Sequence, residues 1–351
     1  MEPSPAAFTC PIPARRSKEI QTAHGGGGRM TQELIDTIFK PAFDNPLLAQ
    51  AHDGAVILPP QGKRLAFATD GHVVSPLFFP GGSIGSLAVH GTANDLAMCG
   101  ARPTWLCVSF ILEEGLSIDT LKRVVGDLAA AARNGGILVI AGDTKVVERG
   151  RCDGLYLATT GIGIVDTNLE VRPASVCEGD AIILSGDIGR HGMAILAQRE
   201  GIDFENPLES DSALLWPRVE ALLKGGVQVH CLRDLTRGGL ATAVIEIAEA
   251  AGLGALLNEQ AVPVSEEVRG ACELLGLDPL HVANEGRMIA IVPAAEAEAA
   301  CRAMTLPEDL HPPRVIGHFR KTPACQVGLT SLVGVERILD RPTGEQLPRI
   351  C

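Results

Sequence analysis

The sequence predicts an α/β protein with two domains of similar size. Three observations carry that expectation. Strand-like apolar runs alternate with amphipathic helical runs in both halves of the chain. A stretch near 168–180, broken by Pro173 and Glu178-Gly179-Asp180, separates the two series. At 351 residues and 46% hydrophobic, the chain exceeds one typical domain and can fill two cores. The expected organisation is a flexible extension over 1–23, an N-terminal domain over 24–168, a C-terminal domain over 169–335 and a mobile tail over 336–351.

Taken in order, the opening residues hold Pro3, Pro5, Pro11 and Pro13 and no apolar core of a secretion signal. Four glycines at 25–28 precede a helix expected over 31–39. A strand over 65–69 is expected to stop at Asp70-Gly71. A helix of small and apolar residues follows over 86–98, then a strand over 104–112. The clearest helix covers 117–134. Leu121, Val124, Val125, Leu128 and Ala132 share one face, Ser117 or Asp119 can cap the start, and Gly135-Gly136 ends it. Strands are expected over 137–141, ending at Gly142-Asp143, and over 155–165. The second series has strands over 181–185 and 288–292, and helices over 191–199 and 237–251.

The formal net charge of −12 leaves no basic excess for a nucleic-acid backbone. No apolar run approaches the ~18 residues of a membrane span. None of the ten cysteines forms a Cys-x-x-Cys pair, so mostly free thiols in a reducing cytoplasm are expected.

Aspartate beside glycine recurs where strands are expected to end: Asp70-Gly71, Gly142-Asp143 and Gly186-Asp187. In α/β sheets ligands bind beyond strand carboxyl ends, so these acids can converge. Asp53 before Gly54 and Asp95 after Asn94 join them as candidates. Mg²⁺ takes hard oxygen ligands of this kind together with phosphate and water. Asp-Gly pairs are also common turns. Gly25, Gly26, Gly27 and Gly28 can cradle phosphate ahead of a helix or serve as a linker. Asp234 lies three residues before Arg237-Gly238-Gly239, an anion cradle at a helix start. Glu285, between Asn284 and Gly286, suits a general base or a turn. Lys145 can neutralise phosphate, move a proton or lie on the surface. The last residue, Cys351, follows Pro348, Arg349 and Ile350. A terminal thiol is either incidental or a tethered substrate, and a 15-residue tail reaches at most ~50 Å.

Read together, these motifs resemble the hydrogenase maturation factors of the HypE carbamoyl dehydratase family. That family lies in the superfamily of aminoimidazole ribonucleotide synthetase, selenophosphate synthetase and thiamine monophosphate kinase. The likeness runs from His24 to Cys351. It is carried by the glycines at 25–28, Ala-Thr-Asp-Gly-His-Val-Val-Ser-Pro-Leu-Phe-Phe-Pro-Gly-Gly at 68–82, Gly-Thr-Ala-Asn-Asp-Leu-Ala at 91–97 and Gly-Asp-Thr-Lys-Val-Val at 142–147. Arg-Asp-Leu-Thr-Arg-Gly-Gly at 233–239, Asn-Glu-Gly at 284–286 and the terminal Pro-Arg-Ile-Cys complete it. The resemblance implies two domains of the aminoimidazole ribonucleotide synthetase type, ATP and Mg²⁺ as cofactors, and a homodimer in the cytoplasm. It also implies loading of a carbamoyl group onto Cys351 by a HypF carbamoyltransferase. ATP-dependent dehydration to a thiocyanate follows, with the cyanide passing to iron on a HypC–HypD scaffold. It assigns Asp53, Asp70, Asp95 and Asp234 to Mg²⁺–ATP, with Asp143 and Gly25, Gly26 and Gly27 at the nucleotide. Lys145 and Glu285 take proton transfer, and Cys351 is the acceptor.

Overall fold

A computed structural model describes residues 18–26, 29–48, 55, 57–202, 208–341 and 350. In the first half, α1 (Arg29–Leu34) passes through a wider π turn at Ile35–Phe39 into α2 (Lys40–Phe43). Next come β1 (Arg64–His72), the short pair β2 (Phe78–Phe79) and β3 (Gly82–Ser83), α3 (Ile84–Met98) and β4 (Ala101–Glu113). α4 (Ile118–Asn134), β5 (Leu138–Val147) and β6 (Leu155–Val165) complete it. The sheet order is β1-β6-β4-β5, and only β4 and β5 run parallel.

Local chemistry sets the helix starts. The Ser83 hydroxyl accepts from Ser86 N–H, and the Ser86 hydroxyl accepts from Ser83 N–H, so α3 opens on a reciprocal cap. Ser117 caps α4 by accepting from Thr120 N–H. The predicted face of α4 is buried: Leu121, Val124, Val125, Leu128 and Ala132 all lie in the core. Each such Leu or Val contributes about 2 kcal/mol by leaving water.

The second half contains β7 (Ala181–Leu184), α5 (Arg190–Glu200), α6 (Trp216–Lys224), β8 (Cys231–Asp234), α7 (Gly239–Ala251), β9 (Gly254–Asn258) and α8 (Glu266–Leu275). β10 (Met288–Val292), α9 (Ala297–Met304), β11 (Arg314–Arg320), β12 (Val327–Thr330) and β13 (Glu336–Leu339) follow. They form a seven-stranded sheet of order β13-β12-β9-β11-β7-β10-β8. Every residue of β7 and β10 is buried. Their side chains split by alternation. Ile182, Leu184, Ile289 and Ile291 pack with α7, while Ile183, Met288, Ala290 and Val292 pack with α6 and α9.

Three expectations change. β1 and β5 do not stop at their Asp-Gly pairs but continue to His72 and Val147. Neighbouring strands supply the partners that override the breaker residues: Asp70 pairs with Thr159 and Gly71 with Ala158 on β6. Because both sheets are mostly antiparallel, strand carboxyl ends do not gather on one edge, and the parallel-sheet rule for ligand placement does not apply. Finally, neither terminal segment is wholly free. Ile20 is buried, its N–H donating to Leu116 carbonyl (2.6 Å) and its carbonyl accepting from Gly115 N–H (2.8 Å). β13 is paired with β12 inside the expected tail.

Candidate functional site

α3 positions the site because it packs on β1 of the first sheet and on β8 of the second. Asn94 is its clamp. The Asn94 amide donates to the carbonyls of Ala213 (2.9 Å) and Glu285 (3.2 Å), and its oxygen accepts from Leu215 N–H (2.8 Å). The next residue, Asp95, thereby shares an electrostatic neighbourhood with Asp70 and Asp234. Burial raises the Asp95 carboxyl to about 7, and the charges of Asp234 and Asp70 add to the effect. Asp234, at the end of β8, is raised to about 6, chiefly by burial. His72, buried beside Asp70 at 3.7 Å, is kept neutral by its own burial.

Glu285 completes the cluster. Burial pushes its carboxyl well above the usual range, and Asp234, Asp211, Asp70 and Asp95 push the same way. Its Oε1 has no hydrogen-bond partner. The flanking residues fix it in place. Asn284 accepts from Gly189 N–H (2.6 Å) and donates to the carbonyls of Leu235 (3.1 Å) and Val282 (3.0 Å). At 286 any side chain is excluded, since a Cβ would fall 1.9 Å from Asp211 carbonyl oxygen.

The segment around Asp211 was not singled out from the sequence. Its buried carboxylate accepts from the N–H groups of His191 (3.1 Å), Glu285 (3.4 Å) and Gly286 (3.1 Å). His191, at the start of the helix expected over 191–199, is fully enclosed, and Ile350 is buried in the hydrophobic core. Ser210-Asp211-Ser212 lies between regular elements, so no periodicity marks it.

Lys145 and Asp143 lie elsewhere. Their side chains are exposed and 3.3 Å apart. Asp143 falls in the cross-strand row Gly71, Ala158, Ser109, Asp143, whereas Asp70 falls in the row that continues through Thr159 and Val108 to Gly142. Adjacent rows face opposite sides of a sheet. Within one chain, Asp143 and Asp70 therefore occupy opposite faces and opposite edge strands, and Asp143 and Lys145 do not meet the buried acids. Instead, Asp143, Lys145, Gly25 and Gly26 line a cavity of about 700 Å³ with Lys40 and Phe39. Gly25 is required there because a Cβ would come within 2.6 Å of Val146 N.

Asp187 does not join the acids. It is buried against Arg287 (2.6 Å) and Arg190 (2.9 Å) as a structural ion pair. Asp53, Gly27 and Cys351 lie outside the described residues. A separate group, Cys177, Asp180 and His230, is held by Asp180, which accepts from Cys177 N–H (2.7 Å) and His230 Nδ1 (2.7 Å).

Comparison with known proteins gives this geometry a family. Residues 51–165 match the AIR synthase related protein N-terminal domain, and residues 178–329 match the corresponding C-terminal domain. The chain is 49% identical over 336 residues to the carbamoyl dehydratase HypE of Cupriavidus necator, covering 96% of each. It is 46% identical over 339 residues to the carbamoyl dehydratase HypE of Escherichia coli, covering 95% of this chain and 99% of that one. A crystal structure of HypE in complex with ATP superposes with a TM-score of 0.90 at 46% identity, over 94% of this chain and 99% of that one. The HypE chain of a HypE–HypF complex superposes with a TM-score of 0.77 at 40% identity, over 88% of this chain and 99% of that one.

Proposed function

The chain belongs to the HypE carbamoyl dehydratase family, and from that premise we propose that it dehydrates a carbamoyl group carried on its own Cys351 at the expense of ATP. The product is a thiocyanate, which supplies cyanide for the iron of a [NiFe] hydrogenase on a HypC–HypD scaffold. A HypF carbamoyltransferase loads the thiol, a pairing supported by the HypE–HypF complex of a relative. The observation that carries the reading is the burial of Ile350, one residue from the thiol, with its carbonyl 2.6 Å from His191, whose N–H donates to the same Asp211 carboxylate that accepts from Glu285 N–H.

The chemistry follows from the leaving group. An amide oxygen leaves poorly as hydroxide. That oxygen attacks the γ-phosphorus of ATP, the bond to ADP breaks, and the amide nitrogen gives up one proton. The C–O bond then breaks with loss of phosphate, and the nitrogen gives up its second proton to form the C≡N triple bond. Such a transfer depends on positioning and on neutralised charge. Glu285, with a raised carboxyl and an unpartnered oxygen, takes the first proton in its ionised form, and the departing phosphate takes the second.

The donor set fits Mg²⁺. Asp70, Asp95 and Asp234 are hard ligands whose mutual repulsion a dication relieves, and Asp53 is assigned with them. When bound, Mg²⁺ supplies charge neutralisation at the phosphates. Arg237, ahead of α7, lies within electrostatic reach of Asp95 and Asp234 and suits phosphate. Asp143, Gly25, Gly26 and Gly27 are assigned to the nucleotide. The 700 Å³ cavity holds the described three, and since it lies away from Asp70, Asp95 and Asp234, a nucleotide whose phosphates meet those acids reaches this cavity only on a paired copy.

A homodimer is supported by an apolar row on the outer face of the first sheet. Phe67, Ile162, Trp105 and Leu138 align across four strands, with Phe67 64% and Leu138 41% exposed. Lys145 projects from that sheet's edge strand, so its part in proton transfer or phosphate binding depends on the paired copy. No helix among the described residues is long and apolar enough to cross a membrane. A cytoplasmic location remains part of the proposal.

The test is mass spectrometry of the C-terminal peptide. It gains a carbamoyl group with HypF and a carbamoyl donor, then loses water when the isolated loaded chain is given Mg-ATP. A Cys351→Ala chain that still dehydrates carbamoyl groups overturns the reading.

A further inference from the structure

Of the buried groups that the chemistry above leaves unused, His191 is the one connected to the end of the chain. It sits in the first turn of α5, fully enclosed, and its ring meets Phe79 edge-on at 5.5 Å. Its Nε2 lies 2.6 Å from the carbonyl oxygen of Ile350, and its Nδ1 lies 2.8 Å from Ser210 Oγ. A carbonyl can only accept, so Nε2 carries the proton and donates. Nδ1 then accepts from the Ser210 hydroxyl, whose oxygen itself accepts from Ser212 N–H (3.0 Å). Burial keeps the ring neutral, which preserves this one-directional chain of donors. The gripped carbonyl belongs to the peptide unit that joins Ile350 to Cys351. The Ile350 side chain is buried as well, so the same peptide is held by both a polar and an apolar contact.

The backbone of His191 is tied to the chemistry through Asp211. That carboxylate accepts from His191 N–H, from Glu285 N–H and from Gly286 N–H. One short segment thus fixes both the grip on the tail and the loop that presents the base.

We propose that His191, with its tautomer set by the Ile350 carbonyl and its other ring nitrogen held by Ser210, is a positioning residue that latches the Ile350–Cys351 peptide in register with Glu285. It does not touch the reacting atoms. It sets the fraction of time the terminal thiol spends inside the site rather than out with a loading partner. This deepens the reading of Cys351 as substrate and rests on it.

The experiment uses the full chain in four forms: unaltered, His191→Ala, His191→Gln and Ser210→Ala. Two rates are measured. One is alkylation of unloaded Cys351 by iodoacetamide, read on the peptide released after Glu345. The other is single-turnover loss of water from the HypF-loaded chain at saturating Mg-ATP. Loss of one buried hydrogen bond corresponds to roughly five- to tenfold. His191→Ala is therefore expected to speed alkylation and slow dehydration by about that factor, with ATP affinity unchanged. Ser210→Ala gives a smaller change of the same sign. His191→Gln, whose amide can donate to the same carbonyl, recovers most of both rates. Wild-type rates in His191→Ala overturn the latch. So does a Gln variant as defective as Ala, which marks His191 as packing alone. If the unaltered chain shows no dehydration, the functional reading fails, while the alkylation comparison still decides the latch.

Discussion

Two sets of buried or half-buried charge lie in the second half and where it meets β1 and α3, and they have opposite physics. Asp187 is enclosed between Arg287 and Arg190, and Asp309 is held by Arg218, with Nη1 donating to Oδ2 at 2.8 Å. Burial alone would raise Asp309, but the Arg218 bonds outweigh it and hold the carboxyl below its usual range. Asp70, Asp95, Asp234 and Glu285 are instead gathered with one another, and burial and mutual repulsion raise Asp95, Asp234 and Glu285. Paired charge of the first kind builds the scaffold. Unpaired like charge of the second kind costs stability and persists where a ligand or a proton is to be handled.

The contrast predicts different losses. The largest is catalytic: Glu285→Gln is expected to slow dehydration by ~10²–10⁴-fold, the usual contribution of a positioned base. Mg-ATP affinity and the thermal midpoint stay near those of the unaltered chain, because the amide replaces a carboxyl that burial already disfavours as an anion. A loss of ATP binding in a calorimetric titration would move Glu285 to a binding role.

The next effect concerns stability. Asp187→Ala strands the buried Arg287 and is expected to cost about 3 kcal/mol in urea unfolding. Asp95→Asn removes a repelling charge, so it costs little or stabilises in the absence of nucleotide. If both variants lose the same stability, the two sets are not different in kind.

The smallest effect is in pH. Asp95 titrates at about 7 and Asp234 at about 6, each above its unfolded value near 4. A raised acid destabilises as pH climbs from the unfolded to the folded pKa, so stability contributed by this cluster falls between about pH 4 and 7. Binding of Mg²⁺ requires the ionised forms and runs the other way. Mg-ATP affinity should rise between about pH 6 and 8, by at most about tenfold per unit for each proton released. In Asp95→Asn the upper part of that rise should flatten. An unchanged profile in that variant would show that Asp95 is not a ligand.

Much of this was legible in the sequence, for definable reasons. The α4 face, the Ser117 cap, the strand at 155–165 and the strand at 288–292 follow from local periodicity and capping. So do the candidate acids, because few residue types serve a hard cation. The strand ends were misread at Asp70-Gly71 and Gly142-Asp143, since cross-strand partners outweigh a local breaker. Asp187 shared the same local signature as Asp70, yet only its distant arginine partners mark it as scaffold.

The sequence by itself therefore determined the elements, the chemical inventory and the thiol at the chain end, because propensity, periodicity and donor type are local properties. Only the tertiary structure decided which acids meet, that Asp143 and Lys145 stand apart from them, and that His191 and Asp211 link Ile350 to Glu285. Those relations span 20 to 159 residues of chain, and no local rule carries information across such separations.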